Sequence, residues 1–296
     1  MTAVCGLPWW TGLQRNDTIA YVNDILLAAV NGSSAIFAIL GNLAIIVTII
    51  KTPTLQKPSN ILLCSLAFAD LLTGVTAQPL FVVWRVFLQR AQKSCLHQIL
   101  VFNVYHTFKY FAVGLSFVNI VLISFDRYYA LSKPLEYIVK VTKSGTTKIA
   151  GLGCVIWLLM TILIVFFLPP LPGFIMLYIF GVLFLVVPPV NYMRLLFSLR
   201  RHNAQLRDEV TSQMSTIFQR EKKKVTLNMC IVTGLLFATL LPIGSMEIFH
   251  KGYPRIHSIL LPWSTTMTFI PPSTNPIIYF GRNKNMRNAF KSIMKI

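Results

Sequence analysis

Charged and amide side chains that interrupt long apolar runs are the first candidates for chemistry. Asp70 is the one carboxylate near the middle of an otherwise apolar run. Ser116, Asn119 and Asn275 lie in other apolar runs and can supply oxygen or amide groups around it. Such groups are costly in an apolar environment, so their default interpretation is a functional site. The alternative is an uncharged, hydrogen-bonded Asp70 that only packs helices together.

A second polar group has the spacing of a helix face. Asn103, His106 and Lys109 recur at every third position, close to the 3.6-residue period that puts side chains on one face. A lysine that faced lipid would cost about 2.5–3.5 kcal/mol, so this face is expected to look into a helix bundle. Gln78 and Glu247 are further candidates for the same ligand-binding pocket. In the alternative, Lys109 pairs with Glu247 and only holds two helices together.

The histidines and cysteines show no catalytic or metal-binding spacing. The chain has 5 histidines and 5 cysteines, which are scattered along the sequence. They form neither a His-x-x-x-His pair on one helix nor a cysteine pair beside a histidine, which zinc sites use. The sequence therefore predicts no enzyme, no metal site and no cofactor.

The composition indicates why these polar groups stand in apolar runs. The chain has 296 residues, of which 55% are hydrophobic and only 12% are charged, with a net charge of +18 and a mean hydropathy of +0.64. Ordinary globular chains are about 25% charged. Nucleic-acid binding requires basic residues gathered on a soluble face, whereas here they punctuate apolar runs. The predicted partner is the lipid bilayer, and no nucleic acid is expected.

Seven runs are long enough to cross about 30 Å of hydrocarbon, and each must be a helix because lipid cannot satisfy backbone polar groups. The spans are predicted at 24–50, 59–84, 97–129, 148–168, 174–199, 223–249 and 257–280. Residues 282–296 have apolar residues at helical spacing among basic ones, which is typical of a membrane-surface helix. The predicted fold is an all-α membrane protein: a seven-transmembrane helix bundle (24–280) after an extracellular N-terminus (1–23), followed by a short amphipathic C-terminal helix (281–296).

Most of the 27 Lys and Arg residues fall in the connectors on one side of these spans. By the positive-inside rule that side is cytoplasmic, and an odd number of spans then puts the N-terminus outside. We therefore expect a multi-pass plasma membrane protein, glycosylated at Asn16 in the sequon Asn16-Asp17-Thr18. Positive charges exceed negative ones on the outer side as well. An acidic lipid, a carboxylate metabolite or an acidic peptide would be attracted there.

The motifs of the spans resemble those of the rhodopsin-like (class A) family of G-protein-coupled receptors. They are Asp70 in the second span, Asp126-Arg127-Tyr128 at the inner end of the third, Trp157 in the fourth, Pro242 in the sixth and Asn275-Pro276-Ile277-Ile278-Tyr279 in the seventh. The resemblance covers essentially the whole chain and implies a receptor for an extracellular ligand that activates a heterotrimeric G protein. The minimal loop between the fourth and fifth spans, which lacks a cysteine, is similar to that of the melanocortin, cannabinoid and lysophospholipid receptors.

The resemblance also implies roles for particular residues. Arg127 matches the arginine that rests against Asp126 in the inactive state and meets the G protein when the sixth helix swings outward. Tyr192 and Tyr279 match the tyrosines that together steady the active state. Pro134 matches the cytoplasmic loop that docks on the G protein.

Several positions depart from the family. Asp70 and Ser116 match its sodium site, but Pro271-Pro272 stand where the family usually has Asn-Ser, which puts sodium binding in doubt. Leu240 replaces the usual sixth-helix tryptophan. The usual disulfide cannot form because Phe102 occupies the position of its third-helix cysteine. Cys5 and Cys95 either form a bridge or remain two free thiols.

Two other functions are weighed against that of a signalling receptor. Leu240 and Pro271-Pro272 are compatible with a receptor-like fold that no longer signals. A multi-pass transporter is the alternative from another class, and it would require polar residues along a path through the membrane. Here, apolar layers separate the outer polar group from Asp126 and Arg127, and no internal repeat is visible.

Overall fold

The computed structural model describes residues 18–88, 95–168, 179–183, 186–191, 193–194 and 254–294. These residues are helical and contain no strand. The first half comprises α1 (Thr18–Lys51), a short 3-10 turn (Pro53–Leu55), α2 (Pro58–Leu72), α3 (Gln78–Val82), α4 (Cys95–Ser132), α5 (Pro134–Lys140) and α6 (Lys143–Ile162). Wide π-type turns at Thr73–Ala77, Val83–Leu88 and Leu163–Phe167 continue α2, α3 and α6. The second half comprises α7 (Pro254–Thr268), α8 (Ile270–Arg282) and α9 (Lys284–Met294).

Four of the described helical runs are long and apolar enough to cross a membrane: Tyr21–Lys51, Pro58–Arg85, Asn103–Ala130 and Lys143–Phe167. They correspond to the first four predicted spans. A shorter apolar helix, Ile179–Asn191, falls within the predicted fifth span, and α7 with α8 covers the seventh. The sixth lies outside the described residues. The prediction of an all-α, multi-pass membrane protein is thus confirmed.

Local sequence explains where the helices begin. Pro58 and Pro134 are the first residues of α2 and α5, a position where the missing N–H costs nothing and the fixed φ already suits a helix. Thr142 caps α6, because its hydroxyl accepts a hydrogen bond from the Gly145 amide at 3.1 Å. This cap starts α6 at Lys143, whereas the predicted span begins at residue 148.

The seventh span is broken into two helices by its proline pair. Pro271 and Pro272 have no N–H, so the carbonyls of Met267 and Thr268 lose their helical donors. Accordingly, α7 ends at Thr268 and α8 begins at Ile270. The break lies beside Asp70 in space, since the same prolines line the cavity around that residue.

Another proline of this span, Pro276, brings α1 close to α8. Pro276 leaves the carbonyl of Pro272 without its usual helical donor, and the amide of Asn42 in α1 donates to that carbonyl at 2.8 Å. A Cβ atom on Gly41 would lie only 2.6 Å from Cγ of Pro276. The absence of a side chain at Gly41 is therefore required for this contact.

Polar groups hold the N-terminal half of α1 in the bundle. Asp24 forms a buried ion pair with Arg85, in which Nε donates to Oδ1 at 3.0 Å. The indole of Trp263 donates to the side-chain oxygen of Asn23 at 2.6 Å. The helix α1 begins at Thr18, whereas the predicted span begins at residue 24. Asn23 and Asp24 can lie within this helix because each has a hydrogen-bond partner in the protein.

The indole of Trp157 fixes α6 against α4. Its Nε1 donates to the carbonyls of Tyr110 and Phe111, both at 3.1 Å. The ring lies over Gly114, where any Cβ atom would collide with the indole. A glycine is therefore needed at this crossing of the third and fourth spans.

The Asp24–Arg85 pair provides a test of how α1 is held. Asp24→Leu or Arg85→Met alone leaves a buried charge without its partner, and we expect each to destabilise the protein by about 3–5 kcal/mol. The double variant removes both charges and should recover most of that loss. Thermal unfolding of the detergent-solubilised chain measures the effect, and strictly additive losses would contradict a direct pairing.

The helix crossing at Gly114 provides a second test. Gly114→Ala forces the Trp157 ring to move, and overpacking of this kind costs about 1–3 kcal/mol. We expect the unfolding temperature to fall by several degrees. Gly151→Ala on α6 is the matched control, because a Cβ there meets nothing within 4 Å. Equal effects of the two substitutions would show that the crossing is not tight.

Candidate functional site

Asp70 joins three of the spans through its two carboxylate oxygens. Oδ1 accepts a hydrogen bond from Oγ of Ser116 in α4 at 2.8 Å, and Oδ2 accepts one from Nδ2 of Asn275 in α8 at 2.7 Å. Asp70 itself is completely buried. Asn119 does not take part in these bonds, because its amide donates to the carbonyl of Leu115 in its own helix. Two of the three predicted neighbours of Asp70 are thus in contact with it.

A small cavity adjoins this cluster. Its volume is about 20 Å³, which is room for roughly one water molecule or a small cation. Asp70, Ser116 and Asn275 line it together with Pro271 and Pro272. Oδ1 of Asn275 is buried there without a hydrogen-bond partner. Oxygen atoms of this kind are the ligands that hard cations prefer, so the residues present fit a sodium ion even though prolines replace two of the family's polar side chains.

Near the C-terminal end of α4, two hydroxyl groups donate hydrogen bonds to the carboxylate of Asp126. Oγ of Ser59 in α2 donates to Oδ2 at 2.8 Å, and the hydroxyl of Tyr137 in α5 donates to Oδ1 at 2.7 Å. Nε of the adjacent Arg127 lies 3.8 Å from Oδ2. Asp126 is therefore bound from three directions, and Arg127 is only one of its partners.

Tyr137 remains a hydrogen-bond donor throughout the physiological pH range. Burial, as the largest cause, raises the pKa of its hydroxyl to about 12; the hydrogen-bond contact with Ser59 opposes this rise and the bond to Asp126 adds to it. Sequence reasoning missed both Ser59 and Tyr137. The only available signal was that each lies in a connector or at a helix start on the same predicted side of the membrane as Asp126.

The short helix α5 exposes an apolar surface beside Asp126. Leu135, Ile138 and Val139 are 81%, 77% and 79% exposed, although α5 lies outside the candidate spans. Glu136 on the same helix pairs with Lys140 at 3.0 Å and with Lys133 at 3.1 Å. These two lysines, Lys140 first, lower the pKa of Glu136 to about 2. Exposed apolar groups of this size mark a contact surface for a partner.

The other residues expected to take part in activation are only partly described. Tyr279 of α8 packs against apolar side chains of both α1 and α2, and Pro276 is buried against Gly41. Tyr128 is half-buried at the inner end of α4. Pro134 begins α5, and its side chain is not described. Tyr192 and Pro242 lie outside the described residues.

In the N-terminal half of α4, His106 and Lys109 meet around two tyrosine rings. Nζ of Lys109 lies 5.8 Å from the ring centre of Tyr105 and 5.9 Å from that of Tyr110, distances at which a cation is attracted to an aromatic face. The His106 ring lies 4.7 Å and 5.5 Å from the same two rings. Asn103 is exposed and does not join them.

The ammonium group of Lys109 has no carboxylate partner within the described part of the chain, where the two ring contacts are its interactions. Gln78 is fully buried and donates to Oγ of Ser34 in α1 at 2.5 Å, so it is tied to the first span. Glu247 lies outside the described residues. The predicted pocket is thus reduced, in what is described, to His106, Lys109 and their tyrosines.

An aromatic cluster packs against the ring of Tyr105. Trp84 stacks on the Tyr105 ring with centres 5.6 Å apart and planes inclined by 9°. Phe81 and Phe269 complete the cluster between the second, third and seventh spans. This region is filled by side chains.

The remaining predicted site residues concern covalent modification. Asn16 and Cys5 lie outside the described residues. Cys95 is the first residue of α4, and its side chain is not described. Within the described chain, Cys64 and Cys154 are free thiols.

Comparison with known proteins places this arrangement in a family. Residues 41–171 match the family described as 7 transmembrane receptor (rhodopsin family). The chain is 35% identical over 125 residues to the trace amine-associated receptor 7e of Rattus norvegicus, covering 42% of this chain and 33% of that receptor. It is 32% identical over 132 residues to the muscarinic acetylcholine receptor M3 of Gallus gallus, covering 45% of this chain and 20% of that receptor.

The matched region spans between a fifth and a third of the length of these relatives. The family match, residues 41–171, contains Asp70, Ser116, Asp126 and Arg127, whose contacts are described above. The narrower resemblance to melanocortin, cannabinoid and lysophospholipid receptors is not confirmed by these matches. Over residues 41–171 the chain matches the rhodopsin-like (class A) family of seven-transmembrane receptors, whose members are receptors and not enzymes.

Proposed function

We propose that this protein is a G-protein-coupled receptor that binds an extracellular ligand and activates a heterotrimeric G protein by a rearrangement of its helices. The observation that carries the proposal is the restrained carboxylate of Asp126 beside Arg127. An arginine at the end of a membrane helix can simply reach toward lipid headgroups. Here, two hydroxyls from α2 and α5 instead orient its neighbouring acid, as expected of a switch with a resting arrangement.

The proposed switch works by shifting an equilibrium. In the arrangement described, Arg127 rests against Asp126, and the apolar side chains of α5 lie exposed next to this pair. A G protein that contacts Arg127 and the α5 surface favours an arrangement in which Arg127 leaves Asp126. A ligand promotes the same change only by binding that arrangement more tightly than the resting one. Tyr192, Pro242 and the Asn275–Tyr279 segment are assigned to the same movement by their match to the family's motifs.

The ligand is proposed to be anionic: an acidic lipid, another carboxylate or an acidic peptide. Lys109 lies about five helical turns before Arg127, where amine receptors of this family carry an aspartate. The two relatives are named for a trace amine and for acetylcholine, yet an ammonium group at this position repels a cation. A negatively charged group would supply the counter-ion that Lys109 lacks within the described residues.

Several accompanying assignments are proposed with the receptor function. The N-terminus, residues 1–23, faces the extracellular side and carries glycan at Asn16, and residues 281–296 lie on the cytoplasmic membrane surface. Cys5 and Cys95 remain candidates for a bridge. The cavity beside Asp70 and Ser116 is proposed to hold sodium.

A receptor-like protein that no longer signals is the second candidate, and one observation favours it. The proline pair Pro271-Pro272 breaks the seventh span between α7 and α8, and Leu240 replaces the tryptophan that usually changes rotamer in the sixth. Such a protein would bind a ligand or a membrane partner without nucleotide exchange. The nucleotide-exchange experiment that follows distinguishes the two candidates.

The signalling role is tested by Arg127→Ala in membranes that contain the chain and a set of purified heterotrimeric G proteins. Guanine-nucleotide exchange should exceed that of empty membranes for the wild type and fall to the empty-membrane level for the variant. Lys148→Ala is the control, because Lys148 is an exposed basic residue on α6 without contact to Asp126. If the wild type never stimulates exchange in the presence of the ligand panel, or if Arg127→Ala leaves exchange unchanged, the signalling receptor is excluded.

The ligand class is tested by Lys109→Gln with a panel of acidic lipids, carboxylates and acidic peptides. An anionic agonist should need at least about tenfold more ligand for half-maximal exchange in the variant, because a desolvated charge pair is worth well over 1.4 kcal/mol. Thr107→Val is the matched control, since the Thr107 hydroxyl only bonds the carbonyl of Asn103 in its own helix. Equal responses of wild type and Lys109→Gln would remove Lys109 from the ligand site.

A further inference from the structure

A buried hydrogen bond joins the fifth span to the third. Nδ2 of Asn191 donates to Oγ of Ser124 in α4 at 3.2 Å. Both residues are buried, with 4% and 0% of their surface exposed. The hydroxyl of Ser124 donates to the carbonyl of Val121 in its own helix at 2.8 Å. The serine proton is thus used within α4, and the amide of Asn191 is the donor of the bond between the two spans.

Other described side chains of the fifth span do not form such a bond. Val190 and Met193 have 40% and 51% of their surface exposed, as expected of side chains that face lipid. Phe180, eleven residues before Asn191, packs edge-to-face on Trp157 with ring centres 5.7 Å apart. Among the described residues of this span, Asn191 is the one whose side chain is hydrogen-bonded to another helix. Its bond is therefore the specific polar contact of this end of the span.

Two prolines lie directly before this contact. Pro188 and Pro189 have no N–H, so two backbone hydrogen bonds of the helix Ile179–Asn191 cannot form. Helices change direction most readily where such bonds are missing. Asn191 follows Pro189 by two residues. The bond to Ser124 thus holds the span at a point where its own backbone constrains its direction least.

The contact lies beside the arginine of the proposed switch. Ser124 precedes Arg127 by three residues, a spacing that puts two side chains next to each other on one helix face. The partners of Asp126 come instead from α2 and α5. A fifth span held at Ser124 therefore lies along the face of α4 that carries Arg127. Movement of this span changes the surroundings of Arg127 without a direct contact to Asp126.

We propose that the hydrogen bond from Asn191 to Ser124 holds the fifth span against the Arg127 face of α4 and thereby favours the resting arrangement. Asn191 is then a positioning residue of the switch, which acts through the place of its span and touches neither ligand nor G protein. The inference rests on the proposed signalling role of Arg127. Movement of the fifth span away from α4 breaks the bond, and an amide that has lost its partner in an apolar environment costs free energy.

The position of the fifth span is measured by double electron–electron resonance on the purified full-length chain, without ligand or G protein. Spin labels are attached at Met193 and at Lys148 of α6, which are both exposed. Asn191→Leu keeps the side-chain volume but cannot donate, and Ser124→Ala removes the acceptor. Each should make a second distance about threefold more populated than in the wild type, as expected for a typical hydrogen bond between membrane helices.

Three further variants separate the bond from general effects of substitution. Ser124→Thr keeps the hydroxyl and should retain the wild-type distances. The double variant Asn191→Leu/Ser124→Ala should show no larger change than the single variants, because both remove the same bond. Val190→Ala is the matched control, since this neighbouring side chain faces away from α4 and is 40% exposed. Wild-type distances in both Asn191→Leu and Ser124→Ala, or an equal change in Val190→Ala, would overturn the proposal.

Nucleotide exchange without agonist tests the link to the switch. Per folded receptor, exchange should rise about threefold in Asn191→Leu and Ser124→Ala, because it scales with the small population of the active arrangement, and Ser124→Thr should match the wild type. A residue that only stabilised the fold would not raise exchange. Altered distances with unchanged or lower exchange would overturn the role of the bond in the switch. The distance measurement needs no G protein, so a wild type that never stimulates exchange contradicts the signalling proposal and leaves the test of the bond intact.

Discussion

The helix bundle depends on a constraint of the lipid solvent: a polar group inside it must find its partner within the protein. Asp70 shows the consequence most directly, because its two oxygens are satisfied by Ser116 and Asn275 from two other helices. Van der Waals packing also positions the spans, as where the Trp157 ring lies over Gly114, although no hydrophobic force drives helices together in lipid. The carboxylate of Asp70 and its two donors add a specific link among the second, third and seventh spans.

The same constraint accounts for the unusual features of the first and seventh spans. The prolines of the seventh span remove backbone donors, and Asn42 of α1 provides a replacement at the carbonyl of Pro272. Farther out, the Asp24–Arg85 pair joins α1 to the end of the second span. At both positions, a side chain on another helix supplies the missing partner: a hydrogen-bond donor for the free carbonyl, and an opposite charge for the buried ion. Asp126 and Arg127 are held less tightly, with 3.8 Å between Nε of Arg127 and Oδ2 of Asp126.

The sequence predicts much of this structure, and its limits have a physical cause. Hydropathy alone locates the first four spans to within a few residues, and the cost of burying a carboxylate correctly associates Asp70 with Ser116 and Asn275. The helical periodicity of a sequence places a residue on one face of its helix, but it does not identify the residues of other helices that contact this face. Ser59 and Tyr137 were missed for that reason, since they reach Asp126 from other elements. For the same reason, hydropathy and spacing do not indicate that Asp24 and Arg85 neutralise each other in a buried pair.

The central claim is that the hydroxyls of Ser59 and Tyr137 hold Asp126 and thereby favour the resting position of Arg127. The most direct measurement is nucleotide exchange without agonist for the double variant Ser59→Ala/Tyr137→Phe, compared with wild type and with Tyr129→Phe. Tyr129 is a suitable control, because its hydroxyl donates to Glu136 at 3.3 Å and not to Asp126. Loss of two hydrogen bonds to a charged group weakens the hold on Asp126, so the account predicts a rise in agonist-free exchange in the double variant alone. Unchanged or lower exchange in a correctly folded double variant would contradict it.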